Sequence, residues 1–313
     1  MRTTVPKLLT ASLIAAGLAA CARPAPPALP VDGAGLAPAT SLTSVPFHPQ
    51  TERSDCGPAA LAMMLGWSGV ETDPKALASA VYTPGREGTL QTDIIQATRR
   101  AGRLAAPVRR LQDLLAELDA GNPVLVLQNL GLKRWPAWHY AVAIGYDLGS
   151  ETLFLHSGRT ARFATTINDF DASWRSSQRW ALTVTAPDRL PVTIDAREGL
   201  EAASGLEQAG QADAATIAYG ALLDRWPDNL PALMGFGNAR YAAGDVDTAR
   251  KTFRQAVTLH PNAAEAWNNL AVSLADQDRL DQALIAAREA VRLGGPNAAS
   301  ARATLAELQA EHR

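Results

Sequence analysis

The pattern of apolar and polar positions changes character near residue 190. Before that point, short apolar or alternating runs are separated by Gly, Asp, Ser and Asn, and they predict strands over residues 123–128, 140–144, 152–155 and 180–184. Four helical segments precede them, over residues 58–65, 74–81, 90–101 and 111–120. Helices followed by strands predict an α+β domain, an antiparallel sheet with helices packed beside it. This domain is placed at residues 44–187. From about residue 196 the chain turns into Ala-rich helical segments.

Those segments recur with a period of 34 residues. Ala215, Ala249 and Ala283 are in phase, as are Tyr219, Phe253 and Ala287, and Leu222, Ala256 and Ala290. Pro227 and Pro261 keep the same spacing, with Pro296 one place late. Small residues let paired helices approach, the aromatic fills the gap, and Pro ends the second helix. The segment resembles the tetratricopeptide repeat, an all-α solenoid, with repeats at about 196–229, 230–263 and 264–297. A capping helix completes residues 196–313. The resemblance implies a protein partner or substrate recruited by the repeats.

Composition narrows the function. A chain of 313 residues suits two domains, and 47% hydrophobic with 19% charged residues is ordinary for globular proteins. The net charge of -2 carries no basic surplus, so no nucleic-acid partner is expected. Residues 1–20 read as a signal peptide, with Arg2 and Lys7 ahead of an apolar stretch. That stretch is shorter than the roughly 20 residues of a spanning helix. Leu18-Ala19-Ala20-Cys21 matches the lipobox of bacterial lipoproteins, which makes Cys21 the lipidation site. The plainer reading is an ordinary signal peptide with Cys21 incidental. Ala22 in place of Asp resembles the signal for outer-membrane delivery, so a lipid-anchored envelope protein facing the periplasm is expected. Residues 21–43, rich in Pro and Ala, read as the tether.

The second cysteine carries the chemistry. Gln50-Thr51-Glu52-Arg53-Ser54-Asp55-Cys56 runs into an apolar helix that begins Gly57-Pro58. Asp55 suits an N-cap and Pro58 the first turn, which puts the Cys56 thiol over free backbone N–H groups that favour thiolate. With Cys21 acylated, Cys56 has no disulfide partner. One cysteine and five scattered histidines form no metal-ligand cluster, so neither metal nor cofactor is expected. His139, at the mouth of a strand, is the candidate base. Gln50 is the candidate oxyanion donor, together with the Cys56 amide. His48 lies too close to Cys56 in sequence, and His260 and His312 belong to the repeats.

Residues 45–50, Asp55-Cys56-Gly57-Pro58-Ala59 and His139-Tyr140-Ala141-Val142-Ala143-Ile144-Gly145-Tyr146-Asp147 resemble the bacteriocin-processing, double-glycine-leader cysteine peptidases, a papain-like family. The resemblance covers about 44–160. It implies Cys56 as nucleophile, His139 as base and Gln50 as oxyanion donor. The family carries an Asp at the end of the strand after the histidine's strand. Here that strand ends Leu155-His156-Ser157-Gly158, so His156, Ser157 and Asp147 are the candidates to orient His139. The expected function is a membrane-anchored cell-envelope cysteine peptidase. The alternatives are a cell-wall amidase or endopeptidase of the NlpC type, which suits His156, and a degenerate peptidase fold that binds peptides.

Overall fold

The structure is a computed structural model that describes residues 35–50, 52–83 and 88–312. The expected leader, Cys21 and the first part of the Pro/Ala-rich segment lie outside the described residues. The elements in chain order are β1 (Ala39–Ser41), α1 (Cys56–Trp67), α2 (Pro74–Val81), β2 (Tyr82–Thr83), β3 (Gly88–Thr89), α3 (Gln91–Arg100), β4 (Leu104–Pro107), α4 (Leu111–Asp119), β5 (Val124–Asn129), β6 (Trp138–Asp147), β7 (Thr152–Ser157), β8 (Thr160–Thr166), α5 (Ile167–Arg175) and β9 (Ala181–Thr185). The helices α6 (Ala196–Gln208), α7 (Ala212–Arg225), α8 (Leu230–Ala242), α9 (Val246–Leu259), α10 (Ala264–Ala275), α11 (Leu280–Leu293) and α12 (Ala298–Glu311) follow.

The main sheet runs β4-β9-β5-β6-β7-β8, all antiparallel, with β1 on β6 beyond the end of β5. The fold is α+β followed by a run of helices. The helix α1 is apolar all round and buried from Cys56 to Leu65, so it is a core helix. It packs on the sheet face that presents Leu125, Leu127, Tyr140, Val142, Ile144, Leu182 and Val184. On the other face α5 is opened by a Thr166 cap on the Asp169 N–H and buries Phe170 and Trp174. Asp171, fully buried on that helix, holds Arg175 and Arg179.

Residues 37–42, read as the end of the tether, are docked instead. Thr40 faces Tyr146 in register, the Ala37 N–H donates to Asp119, and Leu42 packs into the core. A pairing site is free there because β6 runs on past β5, and its backbone groups need partners. Gly145 admits β1: a Cβ there would stand 2.3 Å from the Thr40 carbonyl oxygen.

The repeat helices bury the in-phase residues Ala215, Tyr219, Ala249, Phe253, Ala283 and Ala287. Gly235 and Gly237 let the rings of Tyr219 and Phe253 approach bare backbone. The turns between paired helices are closed by Gly210, Gly244 and Asp278, each at positive φ. The first repeat does not stand apart. Leu104 and Ala106 of β4 share one core with Ala202, Leu206 and Ala218, so α6 covers the edge of the sheet. Glu117, fully buried on α4, fixes the connecting segment by accepting from the Thr193 N–H and hydroxyl at 2.7 and 2.6 Å and from Asn122 at 2.6 Å.

Candidate active site

Cys56 is the first residue of α1, where the chain leaves a single 3-10 turn at Arg53–Asp55. Asp55 closes that turn by accepting from the Glu52 N–H at 2.8 Å; it does not cap α1 with its side chain. Backbone N–H groups of Tyr140, Gly57 and Cys56 itself act on the sulfur. The thiol thus lies near the backbone of Tyr140, the residue after His139, and Cys56 and Tyr140 line the same cleft. The amide groups favour thiolate, as the helix position predicts, but burial outweighs them and Asp55 adds to it. The thiol is pushed above its ordinary value.

His139 opens β6 opposite Gln128 of β5. Alternation along the strand sends its side chain away from those of Trp138 and Tyr140. Its Nε2 lies 2.9 Å from Ser157 Oγ at the end of β7. Burial pushes the imidazole below its ordinary value, which keeps it neutral. The imidazole and the thiol do not bond to each other. Nδ1 is left for a proton from elsewhere.

Gln50 is buried, and its side-chain N–H donates to the Tyr140 carbonyl at 3.4 Å. Its backbone N–H donates to the Gly158 carbonyl at 3.0 Å, and its carbonyl accepts from Arg159. An amide group has two N–H donors, so one remains after the Tyr140 bond. Gln50 and Cys56 thus both meet the backbone of Tyr140, while the imidazole of its neighbour His139 is held by Ser157.

Of the three candidates to orient His139, Ser157 alone touches it. His156 points to the opposite face of β7, where it stacks against Phe47 and its Nδ1 accepts from the Arg162 N–H. Its Nε2–H donates to the Val45 carbonyl, so both ring nitrogens are engaged. Asp147 ends the ten-residue β6 and accepts from the Ser150 N–H in a turn. At about 3.3 Å per residue it lies roughly 26 Å from His139.

Cys56 opens onto a cleft of about 1070 Å³, lined also by Thr89, Tyr140, Trp138, Arg99 and Glu198. Trp138 opens β6 just after a loop braced by Asn129, whose side-chain oxygen accepts from the N–H groups of Gly131 and Ala137. That loop presents Leu132 and Trp135 about two-thirds exposed. Reading the sequence alone missed the share of α6 in this cleft. Among the described residues no group of His, Cys, Asp and Glu could hold a metal ion, and no helix is long and apolar enough to cross a membrane.

Residues 42–183 match the Peptidase_C39 like family, and residues 234–299 match the Tetratricopeptide repeat. Among solved structures, a putative C39-like peptidase from Bacillus anthracis is 19% identical, with a TM-score of 0.40 over 47% of this chain and 97% of that one. The Yersinia enterocolitica type III secretion translocator chaperone SycD is 17% identical, with a TM-score of 0.35 over 37% of this chain and 84% of that one. The first tetratricopeptide-repeat domain of Spaghetti (RPAP3), bound to an HSP90 peptide, is 20% identical, with a TM-score of 0.35 over 39% of this chain and 99% of that one. No curated protein matches the chain.

Proposed function

We propose, for a chain that carries a C39-like peptidase domain followed by tetratricopeptide repeats, that it is a cysteine peptidase anchored by lipid in the bacterial cell envelope. The observation that carries this reading is that Gln50 and Cys56 both meet the backbone of Tyr140, the residue next to a buried His139 held by Ser157.

In the proposed reaction the Cys56 sulfur attacks a peptide carbonyl carbon while its proton passes to Nδ1 of neutral His139. Hydrogen bonds of this kind are often unmade in a free enzyme and tighten when substrate binds. Nε2–H donates to Ser157, and this tautomer leaves Nδ1 basic. The oxyanion receives the Cys56 backbone N–H and the second N–H of Gln50. The C–N bond then breaks, the imidazolium protonates the leaving amine, and water hydrolyses the thioester through the same groups.

The repeats recruit a protein partner or substrate. The leader and Cys21, read from the sequence, support lipid attachment and an outer-membrane location facing the periplasm. The cell-wall amidase reading leaned on His156, which is engaged by Val45 and Arg162, so nothing favours it over peptide substrates. A peptide-binding scaffold without turnover is the second reading, favoured by the raised thiol and by the uncharged hydroxyl that His139 Nε2 meets.

Envelope peptides from cells with wild-type protein and with Cys56→Ala separate these. Peptides that accumulate only in the variant, and are cut by purified wild type, support the peptidase. Identical peptide profiles in the two strains would sink it.

A further inference from the structure

The wall of the cleft facing Cys56 is built by two helices that meet. On α3, Gln91, Ile95 and Arg99 recur at four-residue intervals and line the cleft as one stripe. The near end of that stripe is pressed against the nucleophile's helix: a Cβ on Gly57 would stand 2.4 Å from Thr89 Oγ1. The far end is pressed against the first repeat. A Cβ on Gly205 of α6 would stand 2.4 Å from both Cζ and Nε of Arg99, so the guanidinium rests on bare helix backbone. Glu198, Glu201 and Ala202 of α6 complete this wall.

The cations of the cleft differ in how they are committed. Arg109 is paired with Glu198. Arg179 is held by buried Asp171 at 2.9 and 3.2 Å. Arg99 has a buried Nε without a hydrogen-bond partner, and no carboxylate pairs with it among the described residues. A guanidinium left this way is a planar donor fork for an incoming carboxylate.

We infer that Arg99, seated on Gly205, is an anion-binding position of the cleft that reads a carboxylate of the bound peptide. This deepens the peptidase reading and rests on it. The stripe from Gln91 to Arg99 rises about 12 Å. Extended peptide advances about 3.3 Å per residue, so the stripe, counted from its end beside the Cys56 helix, spans three to four residues of the bound peptide. The carboxylate is supplied by an acidic side chain or by the peptide's own C-terminus.

The test is cleavage-site profiling of a synthetic peptide mixture by the full chain, with each peptide made as free acid and as C-terminal amide. Wild type is expected to favour sites with Asp, Glu or a free C-terminus at the far end of that span by about tenfold. Loss of the preference in the amides assigns the terminus; its survival assigns the side chain. Arg99→Glu should turn the preference toward Lys and Arg. Gly205→Ala keeps the charge but displaces it, and should abolish the preference with circular dichroism unchanged. Cleavage without acidic preference, or a preference that Arg99→Glu leaves intact, overturns the inference. Should wild type cut nothing, fluorescence anisotropy of labelled acidic and neutral peptides on the Cys56→Ala chain separates the two readings. Acidic binding that requires Arg99 retains the anion site while the peptidase reading fails; equal binding overturns the site as well.

Discussion

Nε2 of His139 stands 2.9 Å from Oγ of Ser157, at the strand end where the resembling peptidases place a carboxylate. A hydroxyl can fix the imidazole's tautomer, but it brings no charge to stabilise imidazolium. Ser157→Ala removes a bond worth about 0.5–1.5 kcal/mol, so kcat on a cleaved peptide should fall roughly 2- to 10-fold. Ser157→Asp adds the missing charge. It should raise the His139 pKa and move the acidic limb of kcat/KM to higher pH. If neither variant moves kcat or the limb, Ser157 does not position the base.

Burial keeps the Cys56 thiol protonated at rest despite three backbone donors. A raised pKa means less thiolate at pH 7 than a free cysteine carries. Iodoacetamide labelling of the Cys56 peptide, followed by mass spectrometry, should therefore be slow at pH 7. It should rise through a midpoint above about 8.5, the free-thiol value. A midpoint below that value would show a preformed thiolate.

Stability should depend on pH through two histidines. Burial lowers the pKa of both His139 and His156 in the folded state, from an ordinary 6.5. Below pH 6.5 the unfolded chain binds protons that the folded chain refuses, so stability is lost as pH falls. Tm should decline from pH 7.5 toward pH 5, and less steeply in His156→Gln. A Tm that is flat across this range contradicts the burial of both rings.

Glu117 ties the α+β domain to the segment that leads into α6. Glu117→Ala strands the donors of half-buried Thr193 and buried Asn122, at a cost of about 1–3 kcal/mol. Thermal unfolding should shift down and remain a single transition, since one core spans β4 and the first repeat. A single unshifted transition would show that the carboxylate adds nothing to that junction.

What the sequence disclosed and what it hid follow the same physics. The strands around Tyr140 are apolar and buried, and the repeat shows because Ala, aromatic and turn positions recur in phase. The strand β8 was not legible because it is an edge strand, exposed almost throughout and written in Thr, Arg and Ala. The helix α5 carried a readable signal in the Thr166 cap and in Phe170 and Trp174 four apart, which was passed over. Three of the site's groups were named from motif and spacing. That Ser157, rather than His156 or Asp147, meets His139 depends on which face of β7 each residue takes. The part of α6 in the cleft is a contact across more than a hundred residues, and no local pattern encodes it.

The docking of β1 has a mechanical consequence. The described chain is first held to the sheet at Ala37, six residues before the segment read as tether ends. The β1–β6 pairing lies at the end of β6 remote from His139, so a pull on the chain ahead of Ala37 is taken up by that ladder before it reaches the backbone around Cys56.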